Sequence, residues 1–382
     1  MLQRRFAIPC VLLCILACAP GAHRAAPSGT VAHVVPAAAV VDTGRLAGAG
    51  YRVDVPRQWS GGLVVYAHGY QIPGASPSSR DPRMAGLRSL FLARGYAVAQ
   101  SDYRTQGWAV AEGIDDSEAL RRYVVGKYGR PTRTFVVGHS MGAHIAIATI
   151  ERQAAAYDGA LVMCAPLTPA LAFMSEQLFD LLVAVEAVAP DALPAAPRGL
   201  ADPTGPGSVA AEAVATALQR VPQPNAALAA RFGIRPTDLP GVVAYYYAIL
   251  KEVEHRAGGN PFDNTGTVYT GFGDDVALNR RVRRYGADRQ AVEYLRQNYS
   301  PSGRIADPVL SVHTTYDPIV PPRFATGYAR ITEVAGTQDH FVGRFVAADG
   351  HCVISPAQMA TAFDALQQWA STGRPPEGGE IR

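Results

Sequence analysis

The strongest constraint on this chain's fold is an alternation of two periodicities. Leu63–Ala67 (LVVYA) is a continuous apolar run ending at His68-Gly69, which predicts a buried strand. Gly95–Gln100, Thr134–Val137, Gly159–Met163, Val309–Val312 and Val342–Ala347 predict further strands. Helical spacing fills the gaps between several of them. Met84, Leu87, Leu90 and Phe91 share one face over Arg83–Arg94, and Ile114, Leu120, Tyr123 and Val124 share one over Gly113–Tyr128. The helix expected after Val137 carries Gly142, Ala143, Ala146 and Ala148, small residues that let it approach a sheet closely. Tyr51–Val55 alternates like an edge strand. Strands alternating with helices predict an α/β chain with a doubly wound, mostly parallel sheet covered on both faces. Ser355 and Gln358 form a capping box around Pro356, starting a final helix with Met359, Phe363, Leu366 and Trp369 on one face.

One stretch breaks the rhythm. From Pro166 to Ser302 the chain is rich in Ala and Pro and offers no strong buried strand. Helical patterns run over Leu171–Val188, Val209–Arg220, Gly241–Arg256 and Asp288–Asn298. The expected division is a core of residues 49–165 and 303–382, with a helical insertion over 166–302 before the strand at Val309. An insertion after a strand's carboxyl end is expected to cap the ligand-binding edge of the sheet. The alternative is a peripheral packing domain.

The 382 residues are 48% hydrophobic and 18% charged, enough for a large core. The formal charge is +3, without a basic stripe or a run of like charges, so no nucleic-acid partner is expected. Residues 1–22 (MLQRRFAIPCVLLCILACAPGA) read as a signal peptide. Arg4 and Arg5 give a basic start, Phe6–Ala17 an apolar core too short to span a bilayer, and Ala22 a small residue at the cleavage position. Secretion or a periplasmic location is the expectation. The alternative is a membrane-anchored lipoprotein, with the lipid on Cys18 in Ile15-Leu16-Ala17-Cys18. Residues 23–48 read as a loose leader.

The segment FVVGHSMGAH, residues 135–144, carries the chemistry. Gly138, Ser140 and Gly142 form G-x-S-x-G where a strand turns into a helix, the setting of a nucleophile elbow. A serine hydroxyl needs a histidine to take its proton and an acid to orient that histidine. In a doubly wound sheet these follow in the order Ser, Asp, His, each just after a strand. Asp317 follows the strand at Val309–Val312, in HTTYDPIVPP, and His351 follows the strand at Val342–Ala347, in ADGHCVIS. Ser140, Asp317 and His351 are therefore the candidate catalytic triad. Asp307 and Asp339 precede their strands and belong at the wrong end of the sheet, and Asp349 is too near His351 in sequence to reach its Nδ1 easily. His139 reads as a packed neighbour, His68 as a structural residue, and His144 as facing inward or toward the insertion. No metal is expected, because the histidines are scattered and neither H-E-x-x-H nor paired-cysteine spacing occurs; GFGDD at 271–275 reads as a turn. No dinucleotide fingerprint follows a strand, and no cofactor is expected.

With these elements placed, the chain resembles the alpha/beta-hydrolase superfamily. The matching segments are VVYAHGY (Val64–Tyr70), VVGHSMGA (Val136–Ala143), PVLSVHTTYDPIVPP (Pro308–Pro322) and DGHC (Asp349–Cys352). They leave the insertion uncovered. One departure is His313-Thr314, where the family often has His-Gly. The resemblance implies an oxyanion hole made by the backbone N–H groups of Met141 and Tyr70. It also implies a secreted serine hydrolase that cleaves carboxylic esters through an acyl-enzyme. A serine peptidase or amidase with the same triad is the alternative; an acyltransferase and a non-catalytic binding protein are further ones. The insertion supplies Phe173, Phe179, Tyr245, Tyr246, Tyr247 and Phe262. If some of these face the site, an apolar or aromatic ester, small or oligomeric, is favoured.

Of five cysteines, Cys10, Cys14 and Cys18 lie in the signal. Cys164 ends the strand at Gly159–Met163, and Cys352 follows His351, whose loop must return to that same edge to meet Ser140. An exported chain can join them in a disulfide. The alternative leaves Cys164 a small buried hydrophobe and Cys352 a free thiol.

Overall fold

The computed structural model describes residues 38–382 apart from Arg83. The expected signal peptide, Cys18 and the leader up to residue 37 lie outside the described residues. The strands are β1 (Ala38–Leu46), β2 (Ala49–Pro56), β3 (Gly62–Ala67), β4 (Tyr96–Ser101), β5 (Arg133–His139), β6 (Gly159–Met163), β7 (Val309–Tyr316), β8 (Phe341–Asp349) and β9 (Gly379–Glu380). They form one sheet in the order β1-β2-β4-β3-β5-β6-β7-β8-β9. The β1–β2 and β2–β4 pairs are antiparallel, and every pair from β4 through β3 to β9 is parallel. This is the expected mostly parallel sheet.

The expected loose leader ends earlier than residue 48. Residues 38–46 form β1, which pairs with β2 along its length. The link is two residues, Ala47 and Gly48, at φ 48° and 93°, the positive-φ pair that closes a tight hairpin. Asp42 anchors the strand, because its carboxylate accepts from Lys127 Nζ at 2.7 Å and from the hydroxyls of Tyr123 and Tyr128 at 2.9 and 3.0 Å. Small-residue composition hid this strand. The consequence is that Tyr51–Val55, within β2, is the second strand and not the edge.

Helices α1 (Met84–Leu92), α2 (Val110–Tyr128) and α3 (Met141–Arg152) alternate with the first strands. Between β6 and β7 come only helices and loops. They are α4 (Ala170–Phe173), a π-helical turn (Met174–Phe179), α5 (Asp180–Val188), α6 (Ala211–Gln219), α7 (Pro222–Phe232), α8 (Leu239–Ala257), α9 (Asp275–Arg281) and α10 (Arg289–Gln297). Helix α11 (Pro322–Ala335) joins β7 to β8, and α12 (Pro356–Thr372) follows β8, opening with the expected capping box. Helices α7 and α9 go beyond the sequence reading. GFGDD is the turn that leads into α9: Asp275 accepts the N–H groups of Gly271 and Phe272 at 3.0 and 2.8 Å, and Asp274 caps the helix by accepting from Ala277.

Strands β3, β4 and β6 are buried at every residue. That explains their unbroken apolar sequences, since a parallel strand between two helical layers has no solvated face. On one face, Phe363 of α12 packs edge-on against Phe91, Tyr96 and Phe135, with ring centroids 4.8–5.5 Å apart. On the other face the apolar core runs without a break from Ile145 and Ile147 of α3 into Leu181 and Val243 of the inserted helices. Among the described residues no helix is long and apolar enough to cross a membrane.

Candidate active site

Strand β5 ends at His139 and α3 begins at Met141, so Ser140 alone turns the chain. Its φ of 54° and ψ of −129° are rare for a residue with a side chain. Such a conformation costs about 1–3 kcal/mol and persists only where packing dictates it. Here the packing is backbone on backbone. A Cβ on Gly138 would lie 2.2 Å from the Gly142 carbonyl oxygen, and one on Gly142 would lie 2.1 Å from that of Ala67. Both glycines of the pattern are needed because the chain touches itself on either side of Ser140. The Ser140 N–H donates to the Met163 carbonyl at 2.9 Å, tying the elbow to β6.

Strands β7 and β8 deliver the partners to the same edge. His351 Nε2 lies 2.8 Å from Ser140 Oγ, and His351 Nδ1 lies 2.7 Å from Asp317 Oδ2. Asp317 is fully buried. Its other oxygen accepts the N–H groups of Ile319 and Val320 at 2.9 and 2.8 Å. The carboxylate therefore cannot swing away from the imidazole. Since a carboxylate only accepts, Nδ1 carries the proton and Nε2 presents its lone pair to the serine hydroxyl. A serine so placed can be deprotonated as it attacks, with the imidazolium held by Asp317.

Asp349 and four other histidines have different partners. Asp349 pairs with Arg235 at 2.7 Å. Asp307 precedes β7, and Asp339 lies in the short turn of helix just before β8. His139 stacks on Tyr66, and its Nδ1 meets the Tyr66 hydroxyl. Burial drives its pKa down to about 3, so it stays neutral. His144 donates from Nδ1 to the Pro166 carbonyl at 2.8 Å, and burial holds it near 4. His68 donates from Nδ1 to the Gly69 carbonyl and stacks on Tyr103 with centroids 4.0 Å apart. His313 donates to the Thr314 carbonyl from behind Asp317.

Met141 opens α3, where backbone N–H groups have no partner within the helix. Tyr70 follows the turn after β3, and both residues line the space above Ser140. Gly69 permits this approach, since a Cβ there would come within 3.2 Å of the Ser140 Cβ. Cys164 and Cys352 form a disulfide, with Cα atoms 5.3 Å apart and 188 residues between them in sequence. The bond joins the end of β6 to the residue after His351.

The family model described as "Serine aminopeptidase, S33" matches residues 82–217, which include the elbow. The chain has the alpha/beta-hydrolase fold, and the matched segment is similar to that family. No curated protein gives a significant match. Among solved structures, the hydrolase is similar to a puromycin-hydrolyzing peptidase of Mycobacterium tuberculosis. That match has 14% identity and a TM-score of 0.45, and covers 90% of this chain and 41% of that one. The hydrolase thus spans about two fifths of that protein's length. A mutant of the rice cell wall degrading esterase LipA from Xanthomonas oryzae matches at 14% identity and TM-score 0.45, covering 84% of this chain and 86% of that chain. The Pyrococcus furiosus esterase Pf2001 matches at 12% and 0.45, covering 86% and 90%.

Above Ser140 the hydrolase has a narrow slot of about 20 Å³. Tyr70, Trp108, Met141, Pro166, Ile319 and Val320 line it from outside the inserted helices. The inserted helices supply the rest: Phe173, Met174, Leu178, Tyr245, Tyr246 and Ile249. Of the six aromatic residues singled out in the insertion, Phe173, Tyr245 and Tyr246 reach the slot. The other three pack within the insertion: Phe179 stacks on Phe262 with centroids 5.0 Å apart, and Tyr247 sits beside Lys251. Met174 with Leu178, and Tyr245 with Ile249, are i,i+4 pairs, a spacing visible in the sequence that does not say which helix face meets the site. A larger, open cleft of about 580 Å³ lies between the β1–β2 hairpin and the loops at 77–80 and 102–106. It shares no lining residue with the triad, so the hydrogen-bonded geometry and not cleft size locates the site.

Proposed function

We propose that this hydrolase cleaves carboxylic esters, with Ser140 as nucleophile, His351 as general base and acid, and Asp317 as the group that orients His351. The observation that carries the reading is the unbroken chain of two hydrogen bonds, 2.8 and 2.7 Å, from Ser140 Oγ through His351 to a buried carboxylate. Ser140 Oγ attacks the ester carbonyl as its proton passes to Nε2. The backbone N–H groups of Met141 and Tyr70 receive the charge that develops on the carbonyl oxygen, each worth about 3 kcal/mol in the transition state. The tetrahedral adduct collapses, and His351 returns the proton to the departing alcohol. Water, activated by the same Nε2, then releases the acid from Ser140.

The apolar slot supports ester over aminopeptidase chemistry. Its lining residues carry no carboxylate to receive a substrate ammonium. The nearby Glu252 is already engaged, by Arg256 at 2.7 Å and by the Trp108 N–H at 2.9 Å. A peptidase with the same triad is the second reading, favoured by the description of the matching family model. The proposed setting is secretion or the periplasm, with anchoring through Cys18 as the alternative. The signal-like residues 1–22 and the disulfide support export.

The test pairs p-nitrophenyl esters of rising chain length with aminoacyl anilides, on the parent protein and on Ser140→Ala. The expected result is ester hydrolysis and fluorophosphonate labelling by the parent, with neither in the variant. Anilide turnover exceeding ester turnover would move the assignment to the peptidase reading. Labelling that survives in Ser140→Ala would remove Ser140 as nucleophile.

A further inference from the structure

Three groups able to ligate a metal meet at the carboxyl edge of the sheet. Cys164 Sγ, Cys352 Sγ and a ring nitrogen of His351 all lie within 4.8 Å of one another. Cys352 Sγ is 3.8 Å from His351 Nε2. On a tetrahedral zinc ion, with bonds of about 2.3 Å to sulfur and about 2.0 Å to nitrogen, two such atoms stand about 3.6 Å apart. Two thiolates on the same ion stand about 3.8 Å apart, so the disulfide holds its sulfurs too close for an ion to enter. The histidine is already arranged as a metal ligand. Its Nδ1 donates to Asp317 at 2.7 Å, which leaves the lone pair on Nε2. A carboxylate behind the far nitrogen is what orients metal-binding histidines and raises their basicity.

Opening the disulfide would not scatter these groups, because backbone bonds hold both sides to β7. Cys164 is 1% exposed, and its N–H donates to the Val312 carbonyl at 2.9 Å. The Gly350 N–H donates to the Tyr316 carbonyl at 2.8 Å, and the Gly350 carbonyl accepts from Thr314 Oγ1 at 3.0 Å. The loop carrying His351 and Cys352 therefore stays in place when the sulfurs part. Cys352 is half-buried, and Cys164 and Cys352 have φ of 47° and 58°. Exposed or strained disulfides are the ones that small reductants open.

We propose that the reduced chain has a metal site, made by the thiolates of Cys164 and Cys352 and by His351 Nε2, which takes a thiophilic divalent cation such as Zn2+ and stops turnover. The disulfide then has a second task, to keep such cations off the histidine. Two thiol groups of a small-molecule reductant are oxidised to a disulfide as the Cys164–Cys352 bond takes up two electrons and two protons. The cation displaces both thiol protons and binds the Nε2 lone pair. With that lone pair engaged, nothing receives the Ser140 proton. The loss of turnover, though not the binding, rests on the serine-hydrolase reading above.

The experiment reduces the full chain with dithiothreitol, removes reductant and metal under anaerobic conditions, and titrates it with Co2+ and then Zn2+. Co2+ should produce a thiolate-to-cobalt charge-transfer band that saturates at about one ion per chain, and Zn2+ should displace it. Hydrolysis of p-nitrophenyl butyrate by the reduced chain should fall by about 10²–10⁴ with one equivalent of Zn2+, the scale of a lost general base, and return with EDTA. The oxidised chain should change by less than about twofold. Reduced His351→Ala should keep a sulfur band but bind Co2+ at least about tenfold more weakly. If that variant does not melt cooperatively, the parent's loss of turnover decides, since it requires the cation on the imidazole. A reduced parent with no cobalt band overturns the inference. So does an affinity unchanged in folded His351→Ala, equal inhibition of the oxidised chain, or a reduced parent that no longer melts cooperatively. A parent no faster than Ser140→Ala without added metal overturns the hydrolase reading instead, and the cobalt spectra still decide the site.

Discussion

The carboxyl edge of the sheet and the helices inserted above it both place side chains around Ser140, but by different means. Ser140, Asp317 and His351 each stand at or just past the end of a parallel strand, β5, β7 and β8. Backbone register brings them together, and backbone groups hold them: Met163 at the serine, Ile319 and Val320 at the aspartate. The slot wall is different. Met174 and Leu178 belong to a π-helical turn, and Tyr245 and Ile249 to a helix about 70 residues later. Side-chain packing alone puts them on one side of the site. On the proposed reading, the sheet edge sets the reaction and the inserted helices set what can reach it.

Changes at the sheet edge should be the most damaging, whatever the substrate. In Asp317→Asn, the amide oxygen would keep the two backbone N–H donors, turning its NH2 toward His351. Nδ1 must then accept, the proton moves to Nε2, and Nε2 can no longer take the serine's proton. We expect kcat to fall by about 10³–10⁴ while the melting temperature changes little, a contrast that calorimetry and steady-state kinetics measure together. A drop of less than tenfold would mean that Asp317 does not set the tautomer. Gly142→Ala belongs to the same class, because a Cβ 2.1 Å from the Ala67 carbonyl cannot be accommodated by a rotamer change. That variant should lose its cooperative melt or its activity altogether.

The inserted wall should respond by shifting preference. Leu178→Ala enlarges the slot without touching the triad. The optimum acyl chain should lengthen by one or two carbons, with a change of about tenfold in the ratio of long to short esters. An unchanged chain-length profile would show that the acyl group lies elsewhere. The disulfide joins neither class cleanly. It ties β6 to the histidine loop, so Cys352→Ser should destabilise the chain by about 2–4 kcal/mol and lower activity by loosening His351. Chemical denaturation of the two proteins, read alongside kcat, tests both halves.

The same contrast explains how much could be read from the sequence. The grouping of Ser140, Asp317 and His351 was legible because strand ends are marked by the apolar runs before them, and chain order then leaves few candidates. The disulfide followed from that placement of Cys164 and Cys352. Strand β1 was missed because AAVVDTGRL has no unbroken apolar run. Its stability comes from Asp42 meeting Tyr123, Lys127 and Tyr128, a contact across some 80 residues that no local pattern announces. In the insertion the helices were legible but their facing was not. Phe173 and Phe179 are alike in sequence, yet the first lines the slot and the second stacks on Phe262.

The smallest expected effect lies deepest in the insertion and concerns pH. Glu254 and Lys251 form a buried pair on α8, 2.9 Å apart. Lys251 Nζ also donates to the carbonyls of Leu200 and Asp202. Burial, only partly offset by Lys251, raises the Glu254 pKa from 4.5 to about 7. One of its oxygens has no donor, which also favours the protonated form. Between pH 4.5 and 7 the folded chain thus binds a proton that the unfolded chain releases. Stability from this group is fully present below about 4.5 and is lost as pH rises through 7, by no more than about 3 kcal/mol. Glu254→Gln keeps an oxygen for Lys251 and removes the titration. The melting temperature of the parent should fall by a few degrees between pH 5 and 8, and that of the variant should fall less. Equal slopes in the two proteins would mean that Glu254 is ionised throughout. A flattened slope with the ester profile unchanged would show that this part of the insertion supports the slot without shaping it.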